Sequence, residues 1–223
     1  MNKKIYKFKS EIGNKSFTTK EANDFGISTR MLTFYVQSGD IERVGRGIYT
    51  FSDYDVEEDY AFHELVLVSK SIKGSVICLI SALDYWGITD EIQREYWLAI
   101  PNNYPIPKIE KKIRFIRPRN LEIGVIEKEI AGEVIKITTP ERSICDAFKH
   151  LDEETAISSL REYMNSENVN IDILLTIASE LKTTKVIQVI QELTEASGKA
   201  YPKMNRRELK ASLNWLSKNR RSE

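Results

Sequence analysis

Ser28, Thr29, Arg30 and Thr33, with Gln37 one turn further on, lie off the apolar side of a short helical stretch running from Ser28 to Ser38. Hydroxyls, a guanidinium and a carboxamide on one helix face are groups that read nucleic acid. Arginine bonds guanine through two donors or pairs with phosphate, and glutamine can read adenine. The amides of Ser28 to Arg30 open the helix, and a helix N-terminus favours phosphate. Arg43 and Arg46 follow on a glycine-rich turn, and Lys20 precedes on the neighbouring helical stretch. Glycines on both sides of Arg46 keep that turn narrow enough to approach a phosphate backbone or a minor groove. The plain alternative is a solvated hairpin on a small protein-binding domain. The helix spacing, the hairpin and the local positive charge together favour DNA.

Other chemistry finds less support. A nucleotidyltransferase needs a Gly-Ser turn followed by paired carboxylates on a strand. Gly74-Ser75 has no Asp-x-Asp at a useful distance, and Asp53 and Asp55 lack a preceding Gly-Ser. There is no P-loop. His63 and His150 are far apart in sequence, and each reads as a helix surface or interface residue. Glu127, Lys128 and Glu129 suggest a nuclease only weakly, because the two glutamates share one strand face and the lysine takes the other. Cys78 and Cys145 lack a second Cys or a His at ligand spacing, so both read as reduced core residues. The reading is therefore no catalytic residue, no metal and no cofactor.

The elements that must hold the first group follow from local signals. Lys3 to Ile12 is amphipathic, with Ile5, Phe8 and Ile12 on one side. Thr18 and Glu21 have capping-box spacing and open a helix reaching about Phe25. Gly26 turns the chain, Ser28 caps the next helix, and Gly39 ends it. Met31, Leu32, Tyr35 and Val36 recur at helical spacing. Ile41 to Val44 and Ile48 to Phe51 read as two strands around the glycine turn, with Tyr49 packing back on the helix. Two short helices, a turn and a hairpin make a winged helix-turn-helix pattern, in which the second helix enters the major groove.

An acidic stretch, Ser52 to Tyr60, marks a boundary. Beyond it the pattern gives a helix from Glu57 to Ile72 and an apolar segment running into a helix that ends at Gly87. Strands follow over Arg94 to Pro101, Lys111 to Pro118 and, as a pair, Ile126 to Thr139. Pro140 then opens a helix, and further helices span Asp152 to Met164, Ile171 to Leu181, Thr184 to Thr194 and Asn205 to Asn219. The fold class is α+β: an N-terminal winged helix-turn-helix over residues 1–56, then a mixed α/β domain over 57–223 that ends in a helical segment.

The 223 residues carry 33 basic and 33 acidic side chains, so the formal net charge is zero. Charge is nevertheless segregated: among the first fifty residues, nine Lys and Arg face five Asp and Glu. Pro107 to Arg119 and Asn205 to Arg221 are also basic, and cationic regions on a balanced chain point to anionic partners. The apolar runs are too short to span a bilayer, and the basic N-terminus lacks the apolar core of a secretory signal. A cytoplasmic protein without membrane contact is expected.

Three pieces carry a resemblance. The segments "FTTKEANDFGISTRMLTFYVQSGDIERVGRGIY", "ICLISALDYWGITDE" and "KITTPERSICDAFKH" occur in the same order in AbiEi-type antitoxins. The resemblance extends from about Phe17 to the last helices, with Ser81 to Thr89 and Thr139 to Phe148 as its most specific pieces. It implies a type IV toxin–antitoxin, or abortive-infection, module. In such modules the winged helix represses its own operon at inverted repeats of the promoter. The C-terminal domain counteracts a nucleotidyltransferase toxin without a stable complex. Two copies pairing on DNA would suit a face with few cations, since phosphate contacts dominate affinity. For the antitoxin surface the candidates are Arg142 and Asp146, an i,i+4 pair whose plainer role is structural, tying its helix to the strand layer where it is partly buried, and Arg206, Arg207 and Lys210 on the cationic side of the terminal helix. A stand-alone regulator with a ligand-sensing or dimerising second domain is the alternative.

Overall fold

The computed structural model describes residues 3–13, 15–45, 47–53, 60–106, 112–130 and 132–197. The described chain begins with α1 (Lys3–Ile12), β1 (Phe17–Thr18), α2 (Thr19–Asp24), α3 (Thr29–Gln37), β2 (Ile41–Gly45) and β3 (Ile48–Phe51). Next come α4 (Tyr60–Ser71), β4 (Val76–Ile77), α5 (Leu79–Tyr85), β5 (Tyr96–Ala99) and β6 (Ile113–Ile116). It closes with β7 (Val125–Ile130), β8 (Glu133–Thr138), α6 (Pro140–His150), α7 (Glu153–Asn165), α8 (Ile171–Glu180) and α9 (Thr184–Ser197). These elements form two compact units, each discontinuous in sequence. One comprises Met1–Ile77, Arg94–Pro118 and Ile126–Ile137; the other comprises Cys78–Gln93, Arg119–Val125 and the residues from Thr138 onward.

In the first unit, local chemistry sets the helices. The Thr18 hydroxyl accepts the Glu21 amide at 3.2 Å, and the Glu21 carboxylate accepts the Thr18 amide at 2.6 Å, so the capping box is complete. Gly26 adopts a φ of 86°, a backbone that side-chain-bearing residues avoid. The turn it makes lets the Ile27 amide reach the Ala22 carbonyl at 2.7 Å and sends the Ile27 side chain inward. Ser28 then caps α3 by accepting the Met31 amide at 3.4 Å.

An aromatic cluster holds these helices to the hairpin. Phe8 meets Phe17 edge-on with ring centres 5.0 Å apart, and Phe17 meets Phe51 at 5.1 Å. Each such pair adds about 0.5–1.5 kcal/mol beyond the area it buries. Leu32 and Tyr35 enter the same cluster from α3. Tyr49 is buried as expected, but its ring stacks on Phe17 at 5.7 Å. That contact belongs to an element the sequence patterning does not reveal: β1 pairs antiparallel with β3, Phe17 opposite Tyr49, giving a three-stranded sheet in the order β1-β3-β2.

The same unit contains a mixed five-stranded sheet in the order β6-β5-β4-β8-β7. β4 runs antiparallel to β5 and parallel to β8, and β5 runs parallel to β6. The Trp97 ring on β5 is buried under the Arg114 guanidinium of β6, 4.7 Å away, which in turn pairs with Glu95 at 2.8 Å. A buried polar knot joins α4, the residue before β1, and β8. The Lys70 ammonium donates to the Ser16 carbonyl at 2.8 Å and to the Glu133 carboxylate at 2.7 Å, while the Ser16 hydroxyl donates to the other Glu133 oxygen. His63, expected at a helix surface or an interface, is buried on α4, a helix whose Leu65, Val66, Leu67 and Val68 are all inside.

The second unit is helical around α6. Thr139 caps it through the Arg142 amide at 3.3 Å, and Pro140 supplies the first helical residue. Ile144, Cys145 and Ala147 face a core shared with Leu83, Leu160, Leu174 and Val186. Trp86 sits at the rim of this core and donates its indole N–H to the Thr138 carbonyl at 2.8 Å. Both cysteines are buried, and neither is in a disulfide. Burial, reinforced by the Asp146 charge, pushes the Cys145 thiol far above its ordinary range.

Candidate nucleic-acid interface

The geometry of α3 decides what it can offer. At about 100° per residue, positions i, i+3, i+4 and i+7 fall on one stripe. Arg30, Thr33, Phe34 and Gln37 occupy that stripe, and all four are exposed. Leu32 and Tyr35 are buried on the opposite side, with Met31 and Val36 half-buried between. The fold therefore needs none of the four outward groups for packing. Arg30 makes no ion pair or hydrogen bond with the described residues, so its five donors are available. The Thr33 hydroxyl donates back to the Thr29 carbonyl at 3.1 Å and keeps its acceptor positions. Ser28 and Thr29 are exposed at the helix start, where the first amides point outward.

The flanking cations are less free. Lys20 on α2 is exposed and lies 3.8 Å from Asp24. A pair that open to solvent contributes little, so the ammonium is easily redirected. Arg43 on β2 is exposed, and its Nε donates to the Gly45 carbonyl at 3.2 Å, which turns the guanidinium toward the hairpin tip. The ladder shifts register between Arg43 and Gly45, a bulge of the kind that re-aims side chains. Arg46, also expected on this wing, lies outside the described residues.

The second set of candidates divides. Arg142 and Asp146 do not form a surface: each is 2% exposed. The Arg142 Nε donates to Asp146 at 2.8 Å, and one terminal nitrogen donates to the carbonyls of Asn120 and Ile123 at 2.9 and 2.6 Å. The loop carrying those carbonyls presses so close that a Cβ on Gly124 would stand 2.6 Å from the Arg142 Cβ. The pair is thus an internal brace between α6 and residues 120–124. The i,i+4 spacing that suggested a surface pair is the same for buried and exposed pairs. Nearby, the buried Tyr163 hydroxyl donates to Glu141 at 2.8 Å and accepts the Asn170 amide at 2.7 Å. Burial holds this phenol far above its ordinary pKa, against the Asn170 bond. Arg206, Arg207 and Lys210 lie outside the described residues.

Sequence reasoning passed over Phe34, counting it with neither the core nor the recognition face. Its position four after Arg30 and three before Gln37 was the available signal. Among the described residues, no group of three or more His, Cys, Asp or Glu could hold a metal ion, and no helix is long and apolar enough to cross a membrane.

Residues 12–52 match a family model described as a transcriptional regulator, the AbiEi antitoxin. The match covers β1 to β3 with both helices between them. A protein of known crystal structure, RV2827C from Mycobacterium tuberculosis, is similar at 11% identity over 80% of this chain and 74% of its own, with a TM-score of 0.43. No curated protein matches.

Proposed function

We propose that this chain, whose residues 12–52 match the AbiEi antitoxin family model, is a cytoplasmic DNA-binding autorepressor that also neutralises a nucleotidyltransferase toxin. The observation that carries the DNA half is the outward stripe of α3, where Arg30, Thr33 and Gln37 are exposed and free of packing duty. A capped helix presenting a guanidinium, a hydroxyl and a carboxamide matches the donor and acceptor pattern of base edges in a major groove. The exposed amides at Ser28 and Thr29 suit a phosphate beside the groove. Arg43 on the wing and Lys20 on α2, together with Arg46, add backbone contacts that fix register without reading sequence. With so few cations per copy, tight binding needs two copies on inverted repeats of the promoter, and it should weaken steeply with salt.

The division of labour assigns DNA recognition to residues 1–56 and antitoxicity to residues 57–223, acting without a stable complex with the toxin and without catalysis. Arg206, Arg207 and Lys210 are the candidates for the second activity. Because the family match ends at residue 52, a stand-alone winged-helix regulator with a sensing or dimerising second domain is the competing reading.

Growth rescue separates the two. The toxin encoded beside this gene would be co-expressed with the full chain, with an Arg30→Ala/Arg43→Ala variant, and with an Arg206→Ala/Arg207→Ala/Lys210→Ala variant, each from a foreign promoter. Rescue by the full chain and by the first variant, but not by the second, is expected. Failure of the full chain to rescue would overturn the antitoxin half and leave the plain regulator.

A further inference from the structure

Phe34 is 58% exposed, in the middle of a stripe whose other members are polar. Among the described residues its one aromatic contact is with Tyr35, the rings meeting edge-on with centres 5.8 Å apart. Exposed helix positions with no partner are better filled by Lys, Glu or Gln, which form helices more readily and stay hydrated. The surroundings do not resemble a protein-docking patch, which would extend the apolar area over neighbouring positions. Here Arg30, Thr33 and Gln37 surround one aromatic ring with hydrogen-bonding groups.

A major groove has that same make-up: base edges offer hydrogen-bond donors and acceptors, and the one apolar group among them is the C5-methyl of thymine. Resting on the DNA-binding reading above, we propose that Phe34 is a specificity-determining residue that packs on a thymine methyl in each half-site. Arg30 and Phe34 are four residues apart, about 6 Å along the helix axis. At about 3.4 Å per base step, the thymine lies roughly two base pairs from the base that Arg30 contacts. Phe34 thereby adds apolar discrimination where Arg30 and Gln37 supply polar readout.

The test uses the full chain and a duplex it selects from a random pool. Each thymine of the selected site is replaced in turn by deoxyuridine, which lacks only the methyl group. At one thymine per half-site the wild type should lose affinity about three- to five-fold, the scale of one buried methyl. Phe34→Ala should lose a similar factor on the thymine duplex and be indifferent to the replacement, while Phe34→Leu keeps part of the discrimination. Equal sensitivity to deoxyuridine in wild type and Phe34→Ala overturns the proposal. So does a selected half-site without thymine, or a Phe34→Ala effect confined to self-association. If Arg30→Ala weakens binding about tenfold in the same series, the DNA reading survives those failures. If the full chain enriches no duplex at all, the DNA reading falls, and this proposal with it.

Discussion

Arg30 and Arg142 both stand in the first turn of a helix capped by a hydroxyl, Ser28 in one case and Thr139 in the other. Arg30 points into solvent with no partner among the described residues. Arg142 is 2% exposed and spends its donors on Asp146, Asn120 and Ile123. A guanidinium with every contact made inside the protein has little left for a ligand. One that the fold leaves unpaired costs little where it is and can be recruited by phosphate or guanine. Among the described residues α3 therefore keeps its guanidinium uncommitted, whereas α6 uses Arg142 as internal structure.

The comparison predicts opposite outcomes for the same substitution. Arg142→Ala would leave the Asp146 carboxylate buried without its cation, along with two unmet carbonyls. A loss of about 3–5 kcal/mol is expected in urea unfolding of the full chain. A loss under about 1 kcal/mol would mean that the brace is incidental. Arg30→Ala should leave unfolding within about 0.5 kcal/mol of wild type while costing about tenfold in affinity for a selected duplex, within the range of one base contact. Unchanged binding would remove α3 as the reading helix. Arg43→Ala should be milder, weakening all duplexes alike and lowering the salt slope by about one. A change in base preference would instead make the wing a reader.

The smallest effect concerns a cap in the helical unit. The Asp152 carboxylate accepts the Thr155 amide and the Thr155 hydroxyl, both at 2.9 Å, and these bonds hold it below the usual aspartate range. A lowered carboxylate stabilises fully above its unfolded pKa and loses that contribution as pH falls through the folded value. Asp152→Asn should therefore flatten the acid limb of a stability–pH curve slightly, with no change at neutral pH beyond that of the altered cap. An identical acid limb in both proteins would show that the cap is not coupled to titration.

What was legible in the sequence was local. The Thr18–Glu21 box, the Ser28 and Thr139 caps, Gly26, Gly39 and Pro140 are signals read within a few residues, and each stands where expected. The strands of the wing and the α+β order followed from periodicity in the same way. Less accessible were facts that depend on what approaches from elsewhere in the chain. Two residues at Phe17–Thr18 are too few for a period, and they become a strand only because β3 is there to pair with them. Arg142 is buried against carbonyls about twenty residues back in the chain, at Asn120 and Ile123. Phe34 was passed over for the converse reason: an aromatic residue is not looked for on a polar face, and only its angular position on α3 places it with Arg30 and Gln37.

The knot of Ser16, Lys70 and Glu133 has a consequence for anyone exchanging parts between related regulators. Ser16 precedes the winged segment, Lys70 lies on α4, and Glu133 comes from β8 far along the chain, yet all three meet within one packing unit. A transplant cut after β3 would carry α3 but leave behind both charged partners of Ser16. Such a graft inherits its recipient's choice at positions 70 and 133. Where the recipient offers an acid without a lysine, the graft seals an uncompensated charge beneath the donated wing. On the reading proposed above, the part to exchange for a specificity swap is the outward stripe of α3, four exposed side chains that take no part in this knot.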